Sequence, residues 1–526
     1  MQTRPADQTA PLKNIVIVGG GTAGWLTAGR LAAQFNTGAD AAKNTNNIRV
    51  TLIESPSIPT VGVGEGTWPT MRSTLIKMGI RETDFLTQCD ATFKQGAKFA
   101  RWTTGKQDDF YYHPLMLPQG FGKTDLAQHW QTVKQVTGQS FSEAVCIQQA
   151  ICEKGLAPKT IRAPEFNGAA NYAYHLNAGK FATFLQKHCT QKLGVNHILD
   201  DVSSVNTADN GDIASVITKA NGNIEGDLFV DCTGFNALLV GKHYQVPFKD
   251  CSDVLFIDSA LAVQLPYPKA DSPIASHTIS TAQDAGWIWD IGLTHRRGIG
   301  HVYSSRHTSE SDALQALATY TQTDSDKLDV RKIPIKSGHR EKFWVNNCVA
   351  VGLAAGFLEP LEASALVLVE LSAQMIAEQL PANRATMNIV AKRFNETFLY
   401  RWDKIIDFLK LHYCISQRTD TAFWRDNCDP ATIPQSLQDL LALWQHRAPS
   451  DLDFTSNNEV FPAASYQYVL YGMGFNTQFS NTGLYNAAVA DAHFMRKQLN
   501  EDEAIKALPS NRELLEKIAQ FGLQPV

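Results

Sequence analysis

The chain of 526 residues has no run of 18 uncharged apolar residues, so a membrane-spanning helix is not expected. It has no basic excess either. Its 47 Lys and Arg stand against 52 Asp and Glu, a net charge of −5, and this gives no electrostatic footprint for nucleic acid or an anionic membrane. The nine cysteines are scattered, without a Cys-x-x-Cys pair or a paired Cys/His spacing. An odd, dispersed set reads as reduced thiols and argues against both a disulfide framework and a zinc site. Residues 1–14 are polar and lack the apolar stretch of a secretory signal. No repeat of fixed period and no low-complexity tract stands out. These absences lead to the expectation of a soluble cytoplasmic protein with no metal centre and with neither membrane nor nucleic acid as a partner.

What is present is a chain that is 44% hydrophobic, ample for a large core and long enough for about two to four domains. Asn14 to Val18 is a β-rich run ending in Gly19-Gly20-Gly21-Thr22-Ala23-Gly24, and helical spacing follows from Trp25 to Phe35. A second strand, Ile48 to Ile53, closes on Glu54. Strand, glycine turn, helix and strand with a terminal acid is the dinucleotide-binding pattern. In it the glycines permit a tight turn, the approach of a pyrophosphate and close helix–strand packing. Glu54 lies further from the turn than usual, and the polar loop Thr37 to Asn47 absorbs the excess. Two more hydrophobic strands, within Gly226–Phe235 and Asn346–Gly356, return much later in the chain. The nucleotide domain is therefore expected to be discontinuous, and the aromatic-rich region from about Arg384 is expected to be helical.

Two further segments carry chemistry. In Phe357-Leu-Glu-Pro-Leu-Glu-Ala-Ser364 a strand hands over to a helical pattern running from Leu361 to about Leu380. Pro360 suits a first turn, which would place Glu362 beside unpaired N–H groups at the positive end of the helix dipole. Taken alone, Glu362 reads more readily as a helix-start acid than as a functional one. Lys94 lies in a β-like stretch whose alternation puts Lys94, Lys98 and Trp102 on one face. Phe93 and Phe99 suggest partial burial, unusual company for two lysines.

With these segments in view, the chain resembles the flavin-dependent halogenases, the family that includes the tryptophan halogenases. The resemblance rests on six stretches in order. They are Gly19-Gly-Gly-Thr-Ala-Gly-Trp25, Gly62-Val-Gly-Glu-Gly-Thr67, Ala91 to Trp102, Phe110-Tyr-Tyr-His-Pro114, Gly286-Trp-Ile-Trp-Asp-Ile291 and Phe357 to Glu362. It implies an α/β fold: a discontinuous, Rossmann-like FAD/NAD(P)-binding flavoprotein domain, residues 1–110 and 170–383, beside a mostly α-helical substrate domain, residues 111–169 and 384–526. FAD would meet Gly19, Gly21, Thr22, Ala23, Gly24, Glu54, Gly64, Glu65, Trp287, Trp289, Gly352 and Leu353.

The same resemblance makes Lys94 the catalytic lysine that captures hypohalous acid generated at the flavin, and Glu362 the essential glutamate. Halide would bind the amides of Ser364 and Ala365, although Ala363-Ser364-Ala365 replaces the family's Ser-Thr-Gly. Trp287 and Trp289 would keep organic substrate from the flavin, with Gly292 standing where the family has proline. His113 and Tyr466 would flank an aromatic substrate.

The implied activity is FADH2- and O2-dependent chlorination or bromination of an electron-rich aromatic, an indole rather than free tryptophan. A separate flavin reductase would supply FADH2 by diffusion. The oligomeric state is left open, a homodimer included. The rival readings are a flavin-dependent hydroxylase or oxidoreductase on the same scaffold, and a non-catalytic flavin-binding module.

Overall fold

The computed structural model describes residues 9–36, 48–58, 64–456, 459–480 and 483–526. The loop Thr37 to Asn47, and Gly62 and Val63 of the second glycine motif, lie outside the described residues.

Asn14–Val18 sits inside a six-stranded sheet. Its order is Trp344–Val345, Cys348–Ala350, Leu228–Asp231, Asn14–Val18, Arg49–Glu54, Asn196–Leu199. All neighbours run parallel except the outer pair Trp344–Val345 and Cys348–Ala350. A parallel sheet buried on both faces selects unbroken apolar strands, and Ile15 to Val18 and Leu52 to Ile53 are accordingly buried. Helix Thr22–Asn36 packs against helices Ala178–Lys192 and Ser364–Glu378. The sheet collects its strands from segments up to 330 residues apart (Asn14–Val18 to Trp344–Val345), so the Rossmann-like unit is discontinuous, as the sequence implied.

The glycine turn is close-packed at two points. A Cβ on Gly19 would fall 2.2 Å from the Cys232 carbonyl oxygen, and one on Gly24 would fall 1.9 Å from the Gly19 carbonyl oxygen. The later strand near Asn347 is shorter than its apolar run suggested, Cys348–Ala350, because the chain turns into a 3-10 segment at Gly352–Ala354.

A second sheet of seven strands holds Gly286–Gly292 between Thr278–Gln283 and Arg296–Tyr303, and ends in Gly96–Ala100 and Phe110–Pro114. Alternation sends Trp287 and Trp289 into the main core and Ile288 into a separate cluster on the other face. Trp289 pairs with Gly300, where a Cβ would lie 2.0 Å from its indole, so the ring lies flat over glycine. Gly292 donates no side chain to a crowded spot. A Cβ there would meet the Tyr267 hydroxyl at 2.8 Å, and the Gly292 carbonyl accepts the Thr92 hydroxyl at 2.6 Å.

Lys94 and Lys98 do not share a strand, contrary to the alternation reading. Thr92–Lys94 belongs to a small sheet with Glu65–Gly66 and Ala173–Leu176, whereas Lys98 is on Gly96–Ala100 in the large sheet. The strand is interrupted at Gln95, and Gly96 beyond it is pressed against the His113 carbonyl oxygen (2.7 Å from its would-be Cβ). Lys98 pairs with Glu153 at 2.5 Å and lies over the Phe110 ring, a structural role. Beyond Arg384 the chain is mainly helical, led by the 31-residue helix Arg384–Cys414.

Gly352 has φ +69 and its Cβ would approach the Ala23 Cβ to 2.7 Å. Gly352→Ala combines left-handed strain with overpacking and should lower stability by about 2–4 kcal/mol. A Cβ on Gly21 meets nothing within 4 Å, so Gly21→Ala should change stability by less than about 0.5 kcal/mol. Urea midpoints of the two variants compare these outcomes directly.

Candidate active site

The C-terminal ends of the parallel strands open on a cavity of about 490 Å³, the place where α/β sheets bind ligands. Of the residues singled out in the sequence it brings together Gly19, Gly21, Thr22, Ala23, Glu54, Gly64, Glu65, Lys94, Trp287, Trp289, Gly352, Leu353, Glu362, Ser364 and Ala365. Gly24, His113 and Tyr466 do not line it. Gly24 packs under the turn. Tyr466 is buried against Phe408, Trp444 and Phe454, with ring centroids 4.8, 5.2 and 5.0 Å away.

The cradle suits a dinucleotide. Open space above Gly21 leaves backbone N–H groups free to face a pyrophosphate at the start of helix Thr22–Asn36. Glu54, at the end of its strand, lies with Oε2 2.9 Å from His197 Nε2. Glu65 is partly enclosed, and burial pushes its carboxyl up to about 7. Trp287 is fixed by donating its indole N–H to Glu359 Oε2 at 3.0 Å.

Glu362 does not occupy the first turn of a helix. It has φ 63, ψ 6, Ala363 has φ 55, ψ 41, and the helix begins only at Ser364. Two consecutive non-glycine residues in the left-handed region cost about 1–2 kcal/mol each, the kind of strain that clusters at functional sites. The kink is held by Trp68, whose Nε1 donates to the Glu362 carbonyl at 2.9 Å. It turns the carboxylate inward, where Oε1 lies 2.7 Å from His113 Nδ1 and 3.1 Å from His412 Nε2. Burial alone would push this carboxyl up, but the imidazoles of His113 and His412 outweigh it and hold it well below the usual carboxylate range.

Lys94 is 3% exposed, with Nζ 3.3 Å from the Thr67 carbonyl oxygen. Burial pulls its ammonium down to about 8, while the charge of Glu362 pulls the other way. Gly66 leaves the room needed here: a Cβ would sit 3.3 Å from both Lys94 Nζ and the Ala363 Cβ. Glu359 is a second buried carboxyl, pushed up to about 7 by burial against the hydrogen bonds of Tyr413 and Trp287. The sequence reading missed His412, Glu359 in its role as anchor, and Trp68. Glu359 was visible in the Phe357 to Glu362 motif, but nothing local marked His412, which reaches Glu362 from 50 residues away.

The family model described as Tryptophan halogenase matches residues 14–488. The chain belongs to the tryptophan halogenase family. It is 31% identical to the tryptophan 6-halogenase ThaL of Streptomyces albogriseolus over 96% of this chain and 98% of that one. It is 33% identical to the tryptophan 7-halogenase RebH of Lentzea aerocolonigenes over 79% of each. Among solved structures, a tryptophan halogenase from Shewanella frigidimarina NCIMB 400 is 51% identical, with 99% of this chain and all of that one covered and a TM-score of 0.95. The flavin-dependent halogenase BrvH from Brevundimonas sp. BAL3 is 30% identical, covering 96% and 99%, with a TM-score of 0.84. The protein is thus an enzyme of a flavin-dependent halogenase family, and membership implies FAD, O2 and halide. Among the described residues no helix is long and apolar enough to cross a membrane.

Lys94 should titrate near 8 instead of the ordinary value of about 10.4. Because Glu362 raises this value, Glu362→Gln should move the midpoint below that of the wild type. NMR of lysine-labelled protein, with Lys94 assigned by its loss in Lys94→Met, measures both shifts; an unshifted midpoint in Glu362→Gln would separate the two groups electrostatically.

Proposed function

We propose that this protein halogenates an electron-rich aromatic, an indole without an amino-acid headgroup, using Lys94 to hold the electrophilic halogen and Glu362 to take the ring proton. The observation that carries this reading is the placement of a buried amine and a buried carboxylate in the cavity that also contains the glycine turn and the tryptophan pair. FAD would be held by Gly19, Gly21, Thr22, Ala23, Glu54, Gly64, Glu65, Trp287, Trp289, Gly352 and Leu353, with the substrate domain formed by residues 111–169 and 384–526. When bound in reduced form, and with O2 and halide, FAD supplies hypohalous acid. Everything else is done by the chain.

The amides of Ser364 and Ala365, at the start of the 15-residue helix Ser364–Glu378, offer the halide unpaired N–H donors. Trp287 and Trp289 wall off the organic substrate, so halide meets the oxidant first. Lys94, low enough in pKa to exist partly as amine near neutral pH, presents nitrogen to the hypohalous acid as donor or as haloamine. The ring carbon takes the halogen, and Glu362 removes its proton, which restores aromaticity. Reduced FAD comes from a separate reductase by diffusion, and the setting is the cytoplasm.

The choice of substrate rests on the segment before helix Ala463–Gly472. Pro462 occupies its N-cap and has neither charge nor N–H. Glu459 is the nearest acid along that segment, and its Oε1 is taken by the Tyr400 hydroxyl. The aromatic wall beside Glu362 is made of Trp68, Phe408 and Phe461, with Phe408 and Phe461 stacked at 3.9 Å. The acid nearest the start of this helix is thus already engaged by a phenol hydroxyl.

Incubation with bromide, reduced FAD and an indole panel, read by mass spectrometry, tests the activity; a hydroxylated product without bromine would make the protein a hydroxylase. Lys94→Met should lower halogenation by about 10²-fold or more while oxidation of reduced flavin continues. Hypohalous acid should then escape and be caught by a scavenger in solution. Losing a hydrogen bond to a charged group costs about 1.5–3 kcal/mol, so selectivity for free tryptophan should fall by about 10- to 150-fold and kcat/KM should favour indole. A tenfold preference for tryptophan would refute the assignment of substrate.

A further inference from the structure

Glu362 Oε1 is shared by two histidines that are not equivalent. His113 uses Nδ1 toward Oε1, and its Nε2 lies 2.9 Å from the Ser465 hydroxyl, which can donate or accept. His113 can therefore meet both neighbours as a neutral ring. His412 cannot. Its Nδ1 is 2.9 Å from the Phe408 carbonyl oxygen, an acceptor only, so Nδ1 must carry hydrogen. Its Nε2 is 3.1 Å from Glu362 Oε1. A neutral ring with hydrogen on Nδ1 would turn a bare lone pair toward a carboxylate oxygen, a repulsive contact in a buried site. His412 is 0% exposed, so water cannot relieve it.

Among the described residues, no other neighbour of His412 donates a proton to this contact. On its own helix, Lys410 is bound to Asn427 and Tyr413 donates to Glu359. From strand Phe110–Pro114, Tyr111 faces the ring at 6.4 Å between centroids; His113 sits on Glu362, and Lys94 acts on Glu362 only through its charge. Phe99, Trp102 and Phe408 complete the aromatic cage around His412.

We propose that His412 is a positioning residue of the halogenation step, an imidazolium whose Nε2–H grips Glu362 Oε1 and so keeps the carboxylate ionised with Oε2 as its working oxygen. The inference rests on the reading of Glu362 as the ring base. No hydrogen bond from the described residues ends on Oε2. In the step, the ring carbon already bears the halogen. Its C–H electron pair returns to the ring, the carbon–halogen bond stays intact, and the proton ends on Oε2. The imidazolium keeps its own proton throughout, which stops Glu362 from taking one from solvent before the substrate arrives.

The decisive measurement needs no flavin. In flavin-free protein labelled with ¹⁵N-histidine, at near-neutral pH, His412 should show hydrogen on both ring nitrogens. In Glu362→Gln the amide can donate to Nε2, so His412 should become a neutral ring with hydrogen on Nδ1 alone. A neutral His412 in the wild type, or the same state in both proteins, would overturn the proposal whether or not the protein halogenates. Turnover provides the second readout. His412→Leu removes the donor and should lower halogenation by about 10-fold or more, the scale of one hydrogen bond to a charged group. Deprotonation should then limit the rate, and a ring-deuterated indole should reveal a primary isotope effect absent from the wild type. His412→Gln, which retains an N–H donor, should recover much of the rate. Equal rates in the Leu and Gln variants, without an isotope effect, would make His412 a packing residue and sink the idea. If the Leu variant does not fold, the histidine spectra of wild type and Glu362→Gln still decide.

Discussion

A carboxylate taken out of water is costly unless donors replace the solvent it loses, and the penalty in real proteins is several kcal/mol per ion. Glu362 is 8% exposed, and its Oε1 is met by two imidazoles carried on different parts of the chain. His113 comes from the edge strand of the seven-stranded sheet and His412 from the long helix Arg384–Cys414. The carboxylate meets both from a backbone that is left-handed at Glu362 and Ala363. Strain in two residues is thus exchanged for an ionised group in a dry place. The aromatic cage, the Trp68 hydrogen bond to the kink and the placement of the helix at Ser364 all serve that arrangement.

The same dryness sets the state of Lys94. Its nearest polar partner is a neutral carbonyl, so burial lowers the ammonium to about 8, with Glu362 opposing the drop. One charge in the cavity therefore tunes the other. A lysine in water has almost no amine near neutral pH, whereas burial gives this one a larger amine fraction. The chemistry proposed for it would call for a nitrogen that can meet an electrophilic halogen, and a dry pocket would provide one.

The tryptophan pair shows how the two sheets communicate. Trp287 donates to Glu359, three residues before Glu362, and Glu359 also receives the Tyr413 hydroxyl from the helix that carries His412. The wall of the nucleotide cleft and the support of the carboxylate consequently meet at one buried carboxyl. A displacement of Trp287 would be felt at the kink, and a displacement of the long helix at Trp287.

Much of the scaffold was legible in the sequence because its signals are local. Glycines tolerated where a Cβ would strike backbone, apolar runs that suit a parallel sheet and alternation around Trp287 and Trp289 depend on neighbours a few residues away. The motifs therefore determined the nucleotide-binding unit, its discontinuity and the candidate roles of Lys94 and Glu362. Tertiary structure alone decided the rest. Helical periodicity from Leu361 hid the left-handed kink, since a periodic pattern reports which side chains are buried and not the sign of φ. Alternation joined Lys94 to Lys98 although the strand breaks between them and feeds two sheets. Tyr466 lies behind Phe408 and not in the cavity, because a helix's rotation about its axis follows from what it packs against. His412 could not be found from the sequence at all. A histidine in an aromatic helix acquires its meaning from a carboxylate 50 residues away, and only the folded chain brings the two within 3.1 Å.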